Sequence, residues 1–149
     1  MNTRRVPSDM ANFTQDELLT RLSALEIENK QLKHQLATTQ TIIDEIPIAV
    51  FSKNVREQYR IDLWNKAAEQ LFNVKKQDVI GKATNQIWPQ TDADLFMADD
   101  QRVATQQTTI DIPIEHCYTP DRGTILLHTQ KVPIINSNED RKSTRLNSS

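Results

Sequence analysis

The sequence predicts an α+β chain in which a long helix precedes a small antiparallel sheet with flanking helices. Three observations carry this expectation. Between Thr14 and Pro47 no Pro or Gly interrupts a run whose apolar residues recur at alternating spacings of four and three. After Pro47, short segments alternate apolar and polar side chains with a period of two, bounded by turn residues. Between the second and third of those segments lie stretches with helix start signals.

The helix comes first. Thr14-x-x-Glu17 has the form of a capping box, and the helical pattern runs over residues 14–46, after an N-terminus of residues 1–13 that reads as disordered. Leu18, Leu25, Leu32, Thr39 and Ile46 fall seven apart, as do Leu22, Asn29, Leu36 and Ile43. Taken as d and a positions, they make the seam of a coiled coil with a period of 3.5. The expected dimer seam is therefore Leu18, Leu22, Leu25, Asn29, Leu32, Leu36 and Ile43. Asn29 at an a position favours a parallel, in-register homodimer, and the flanking pairs Arg21 with Glu26 and Glu28 with Lys33 are attractive in that arrangement. Ile27, on the outside, fits a dimer worst, and a single amphipathic helix packed on its own domain is the competing arrangement.

Residues 47–138 supply the sheet. Pro47 ends the helix, Ala49 to Ser52 reads as a first strand, and Tyr59 to Trp64 as its hairpin partner. Asn65 is placed to cap a short helix that turns Ala67, Ala68, Leu71 and Phe72 inward. A second short helix starts at Lys76 to Asp78 and stops at Gly81. Asp92 to Gln107 suits a longer helix with Leu95, Phe96 and Val103 buried, and its Asp99 and Asp100 read as a solvated face. Thr109 to Cys117 alternates Ile110, Ile112 and Ile114 with polar residues, and the turn "TPDRG" leads into a last strand, Thr124 to Ile134.

Four pieces in this order, "DEIPIAVF", "LWNKAAEQLF", "DVIGK" and "HTQKVPI", resemble the PAS family of sensory domains over residues 40–135. The resemblance implies a PAS-like antiparallel sheet of five strands in the order 2-1-5-4-3, with the fifth between the first and fourth. Only four strands are readable before residue 139. The stretch "DRKSTRLNSS", Asp140 to Ser149, has one apolar residue and no period. Back-translated as GAT CGG AAG AGC ACA CGT CTG AAC TCC AGT, it matches one frame of a common short-read sequencing adapter, with Glu139 also in doubt. Residues 139–149 thus read as an artefact of assembly, which leaves the natural fifth strand missing and the natural sequence beyond Asn138 unknown.

Composition narrows the function classes. The net charge of −2 becomes −4 without residues 140–149, so no basic field invites nucleic acid or anionic lipid. No apolar run reaches the length of a membrane span, and a cytoplasmic location is expected. Cys117 is the single cysteine, either a packed thiol or a redox-sensing one. Two glycines allow no phosphate loop. His116 and Cys117, adjacent on a strand, point to opposite faces and cannot form a catalytic pair. His116 and His128 are either surface residues or two members of an incomplete metal site. No catalytic residue and no metal site is expected.

A pocket between the sheet and the longer helix would be lined by Val50, Leu63, Phe72, Phe96, Val103 and Leu126, which otherwise simply fill the core. The resemblance also tests cofactors. LOV members carry a reactive Cys where this chain reads "KATNQIWPQ", and haem-binding members use a His on the longer helix, which has none here. Haem and covalent flavin are disfavoured, and an unknown small ligand remains open. The resemblance implies a sensory and dimerisation module that relays a cue to an effector outside this chain, a histidine kinase first and a cyclic-di-GMP enzyme next. The alternative is a stand-alone ligand-binding or scaffold protein without an effector.

Overall fold

The structure is a computed structural model describing residues 12–136 and 140–148, with Asn136 and the latter stretch described by backbone alone. The expected disordered N-terminus, residues 1–13, lies almost wholly outside the described residues. The chain divides into two compact units, 1–41 and 42–149.

Helix α1 (Gln15–Glu45, 31 residues), whose residues up to Thr41 belong to the first unit, begins where the capping box predicts. Glu17 N donates to Thr14 Oγ1 at 3.2 Å and Thr14 N to Glu17 Oε2 at 3.0 Å, satisfying two of the amides a helix start leaves open. The Arg21 guanidinium lies 4.7 Å from the centre of the Phe13 ring. No residue of α1 is buried, and its leucines are exposed, Leu36 to 70%.

The second unit contains β1 (Ala49–Asn54), β2 (Arg60–Trp64), α2 (Lys66–Phe72), α3 (Lys76–Val79), α4 (Gln90–Gln106), β3 (Ile110–Thr119), β4 (Gly123–Asn136) and β5 (Asp140–Ser148). The sheet is antiparallel with the order β2-β1-β5-β4-β3. The centre is thus occupied by Asp140–Ser148, where the sequence led to the expectation of a missing fifth strand. β1 meets it from Ala49 opposite Ser148 to Asn54 opposite Ser143, and β4 from Thr129 opposite Ser148. Ladder hydrogen bonds are made by the backbone and are common to every residue but proline, so two unpaired edges can template a chain of almost any composition. The sheet has five strands where the sequence reading expected four.

Asn65 organises the start of the domain. Its Oδ1 accepts from Ala68 N and Val50 N, and its Nδ2 donates to the carbonyls of Ile43 and Ile48, all at 2.9 Å. One buried amide thus caps α2 and holds the chain on either side of Pro47. The left-handed residues Asn73 and Gln107 end α2 and α4, and Gly81 at φ +80° follows α3. Around Phe51, Trp64, Phe72, Trp88 and Phe96 the rings stack with neighbouring centroids 5.2 to 6.1 Å apart, mostly tilted or edge-to-face. Trp64, fully buried, also donates its indole N–H to the Val74 carbonyl at 3.2 Å, and Trp88 is buried beside it.

Candidate functional site

Beside the aromatic cluster is a hollow whose far end is ionic. It is lined by Phe51, Phe72, Trp88 and Phe96 on one side and by Lys53, Glu115, Thr129 and Lys131 on the other, with Cys117 and Leu127 between. About 20 Å³ is free, room for one water; counting its crevices toward solvent, the hollow encloses about 300 Å³.

The ionic end is built by three elements. A register shift between Ser52 and Lys53 breaks the alternation of β1, so Phe51, Ser52 and Lys53 are all buried. Lys131 comes from β4, two residues after Thr129, on the same face. Asp100 comes from α4, where the spacing Phe96, Asp100, Val103 puts it on the buried stripe. Its Oδ2 accepts from Lys53 Nζ at 2.5 Å and its Oδ1 from Lys131 Nζ at 3.1 Å. Lys131 also donates to the Phe96 carbonyl at 3.3 Å and lies 3.8 Å from Glu115, whose other oxygen accepts from Thr129 at 2.6 Å. Each ammonium also faces a ring, Lys53 at 5.8 Å from Trp88 and Lys131 at 5.4 Å from Phe96.

Lys53, Asp100 and Lys131 are at most 2% exposed, an arrangement tolerable only because the charges are paired. Burial pulls the Lys53 pKa down, and the Asp100 carboxylate opposes that pull. The Cys117 thiol is pushed up to about 12, first by burial and then by the Asp92 and Glu115 carboxylates, so it is a packed, unreactive thiol at neutral pH.

Of the six residues expected to line a pocket, Phe72 and Phe96 do so. Val103 is buried in the core but does not line the hollow, Val50 and Leu63 are half-buried, and Leu126 is 64% exposed. The errors are of strand parity: Phe51 and Leu127 take the places given to their neighbours. A second register shift, between Ile112 and Glu115, turns Glu115 and Cys117 inward and leaves Ile114 outside. Asp100, expected on a solvated face, is fully buried, whereas Leu95, expected inside, is exposed. His116 lies opposite Leu126, and His128 pairs with Asp111 at 2.7 Å. No group of three or more metal-ligating side chains occurs among the described residues. No described helix is long and apolar enough to cross a membrane.

An antiparallel sheet with this strand order, its helices following β2 and a hollow between sheet and α4, defines a sensory-domain architecture. The family model described as "PAS fold" matches residues 43–141, and the chain belongs to that family. A search of curated proteins returns no match. Among solved structures, the PAS domain of a Colwellia psychrerythraea protein is similar with a TM-score of 0.63 and 18% identity, covering 76% of this chain and 94% of that one. The PAS domain of the histidine kinase ThkA gives 0.55 and 21%, covering 68% and 97%. VqmA bound to DPO gives 0.65 and 17% over 76% of this chain, which spans 56% of VqmA. At these identities the likeness is one of fold.

Proposed function

We propose that this chain is the sensory and dimerisation module of a signal-transduction protein. In this reading α1 pairs with α1 of a second copy, the PAS domain receives the cue, and an effector outside this chain, a histidine kinase or a cyclic-di-GMP enzyme, gives the output. The observation that carries it is the heptad of α1: Leu22, Leu25, Leu32 and Leu36 are exposed, with Asn29 in the same seam. The chain itself performs no catalysis in this reading and works in the cytoplasm, without haem or covalent flavin. Sedimentation of the full chain tests it. A dimer at micromolar concentration that Leu25→Glu converts to monomer is expected, and a monomeric wild-type chain would refute the seam.

Residues 140–149 are, in the same proposal, encoded by sequencing adapter, and the natural protein supplies its own fifth strand. Ten consecutive matching codons support this, as does the end of the family match at Arg141. Reads of the source DNA across the Asn138 codon test it: continuation into another strand and an effector region is expected, and native adapter-like codons would overturn it. A ligand-binding role without an effector is favoured over mere packing by the ionic end of the hollow, and a stop codon soon after that strand would select it.

A further inference from the structure

Pro47 has no N–H, so it leaves the carbonyl of Ile43, four residues back, without the partner that a continuing helix would give it. The carbonyl before it, that of Ile42, still has a helical partner, Ile46 N at 3.1 Å. The open Ile43 carbonyl is answered from 22 residues away by Asn65 Nδ2, which also donates to the Ile48 carbonyl on the far side of the proline. Both donors of the amide thus go to the exit from α1. Its two acceptor sites go to the entry into the sheet domain, taking Val50 N of β1 and Ala68 N of α2. Asn65 N closes the set with a bond of 3.1 Å to the Val50 carbonyl.

This set of partners calls for an asparagine. Asp offers acceptors only, Ser and Thr can cap α2 but carry a single donor, and Gln sets its amide one carbon farther out. The residue is fully buried, so each polar group needs its partner. The two elements on the acceptor side also carry rings of the aromatic cluster, Phe51 on β1 and Phe72 on α2, 6.0 Å apart and edge to face. An ion pair between Glu45 and Lys66 at 2.8 Å joins the same segments from outside, but both side chains are more than 60% exposed and it adds little hold.

We propose that Asn65 is the positioning residue that couples α1 to the sheet domain. One amide caps the end of α1, in place of the N–H that Pro47 lacks, and the start of α2, so neither helix end loosens without the other. The inference rests on the sensory reading above and names the residue through which α1 and the domain exchange a cue. A movement of α2 against β1 pulls Nδ2 away from Ile43, and a change in α1 frees Oδ1 from Val50 and Ala68. Coupling of this kind is reciprocal.

The test is amide hydrogen exchange of the full chain, read residue by residue by NMR. Helix ends ordinarily fray, so a clamped end is recognisable in the wild-type chain: Ile46 should be protected to within about tenfold of Ala68. Ala37→Gly weakens α1 within the first unit, whatever its association state. It should speed exchange about fivefold at Ile46 and also at Val50 and Ala68. Asn65→Asp keeps both acceptor contacts, and with them the cap of α2, and removes both donors. It should speed Ile46 about tenfold with α2 still protected, and Ala37→Gly added to it should act on Ile46 alone. An Asn65 that served packing only would leave Val50 and Ala68 blind to Ala37→Gly in either background, and that result overturns the proposal. A frayed Ile46 in the wild-type chain overturns it too. These two measurements need no change at Asn65, so a poorly folded Asn65→Asp does not remove the test. Sedimentation of the wild-type sample keeps the two readings apart: a monomer with coupled exchange loses the seam alone, and a dimer with uncoupled exchange loses the clamp alone.

Discussion

Helix α1 and the sheet domain place their apolar side chains in opposite ways. The domain encloses Phe51, Ile61, Trp64, Ala68, Phe72 and Val79, all at most 5% exposed, whereas α1 has no buried residue and shows a row of leucines to solvent. The domain therefore holds its stabilising contacts within one chain. A single helix in water is marginal even with good caps, so in the proposed dimer α1 would draw most of its stability from the partner helix. Changes in the domain should act on its unfolding at every protein concentration. Changes in α1 should act through association.

The largest expected effect separates the sheet from everything else. A chain ending at Asn138 leaves β1 without β5 on one side and β4 without it on the other, and it should be insoluble or lack a cooperative transition. A sharp melt of that shortened chain in solution would show that β5 is dispensable. Next, Asp100→Ala leaves two buried ammonium groups short of their carboxylate and should cost about 3–5 kcal/mol in urea unfolding. A cost below about 1 kcal/mol would mean that the lysines escape to solvent.

Asn29→Leu should act on the other unit and in the other direction, stabilising the associated helix by about 2 kcal/mol per chain and loosening the choice of two strands. The signature is a helical transition that moves with protein concentration while the tryptophan signal of the domain stays in place. A shift independent of concentration would argue that α1 packs on its own chain.

The smallest effect concerns Cys117, whose folded-state pKa of about 12 stands above its ordinary value near 9. Between those values the folded chain keeps a proton that the unfolded chain releases. Stability contributed by the protonated thiol is full below pH 9 and falls as pH rises above it, by at most about 1.4 kcal/mol per pH unit. Cys117→Ala should flatten that part of the profile, and an unchanged slope would place the titration elsewhere.

Helices and turns were legible because their signals are local. The Thr14 box, the Asn65 cap and the stop at Gly81 each depend on residues within one turn, and each stands where the spacing puts it. Strand faces were less legible because a bulge inverts the alternation beyond it. The shifts at Ser52/Lys53 and Ile112/Glu115 turned Lys53 and Glu115 inward and Ile114 outward; Pro113 marks the second, and no local residue pattern marks the first. Asp100 could have been found. It lies four residues after Phe96 and three before Val103, on the apolar stripe, and a carboxylate there calls for a buried cation. Lys131 shares the parity of Leu127 and Thr129 and answers that need.

The place of β5 at the centre of the sheet also sets a schedule. β1 is synthesised early, and the strand that fills the place between it and β4 follows β4 in the chain, so β1 waits for a partner from the far end of the domain. Closing such a distant pair comes late and slowly in folding, and until then the apolar first hairpin and the second stand apart with open edges. A newly made chain is therefore most exposed to misassembly with its neighbours just before the last strand arrives, and dimerisation through an early-synthesised α1 would bring two such half-built sheets close together.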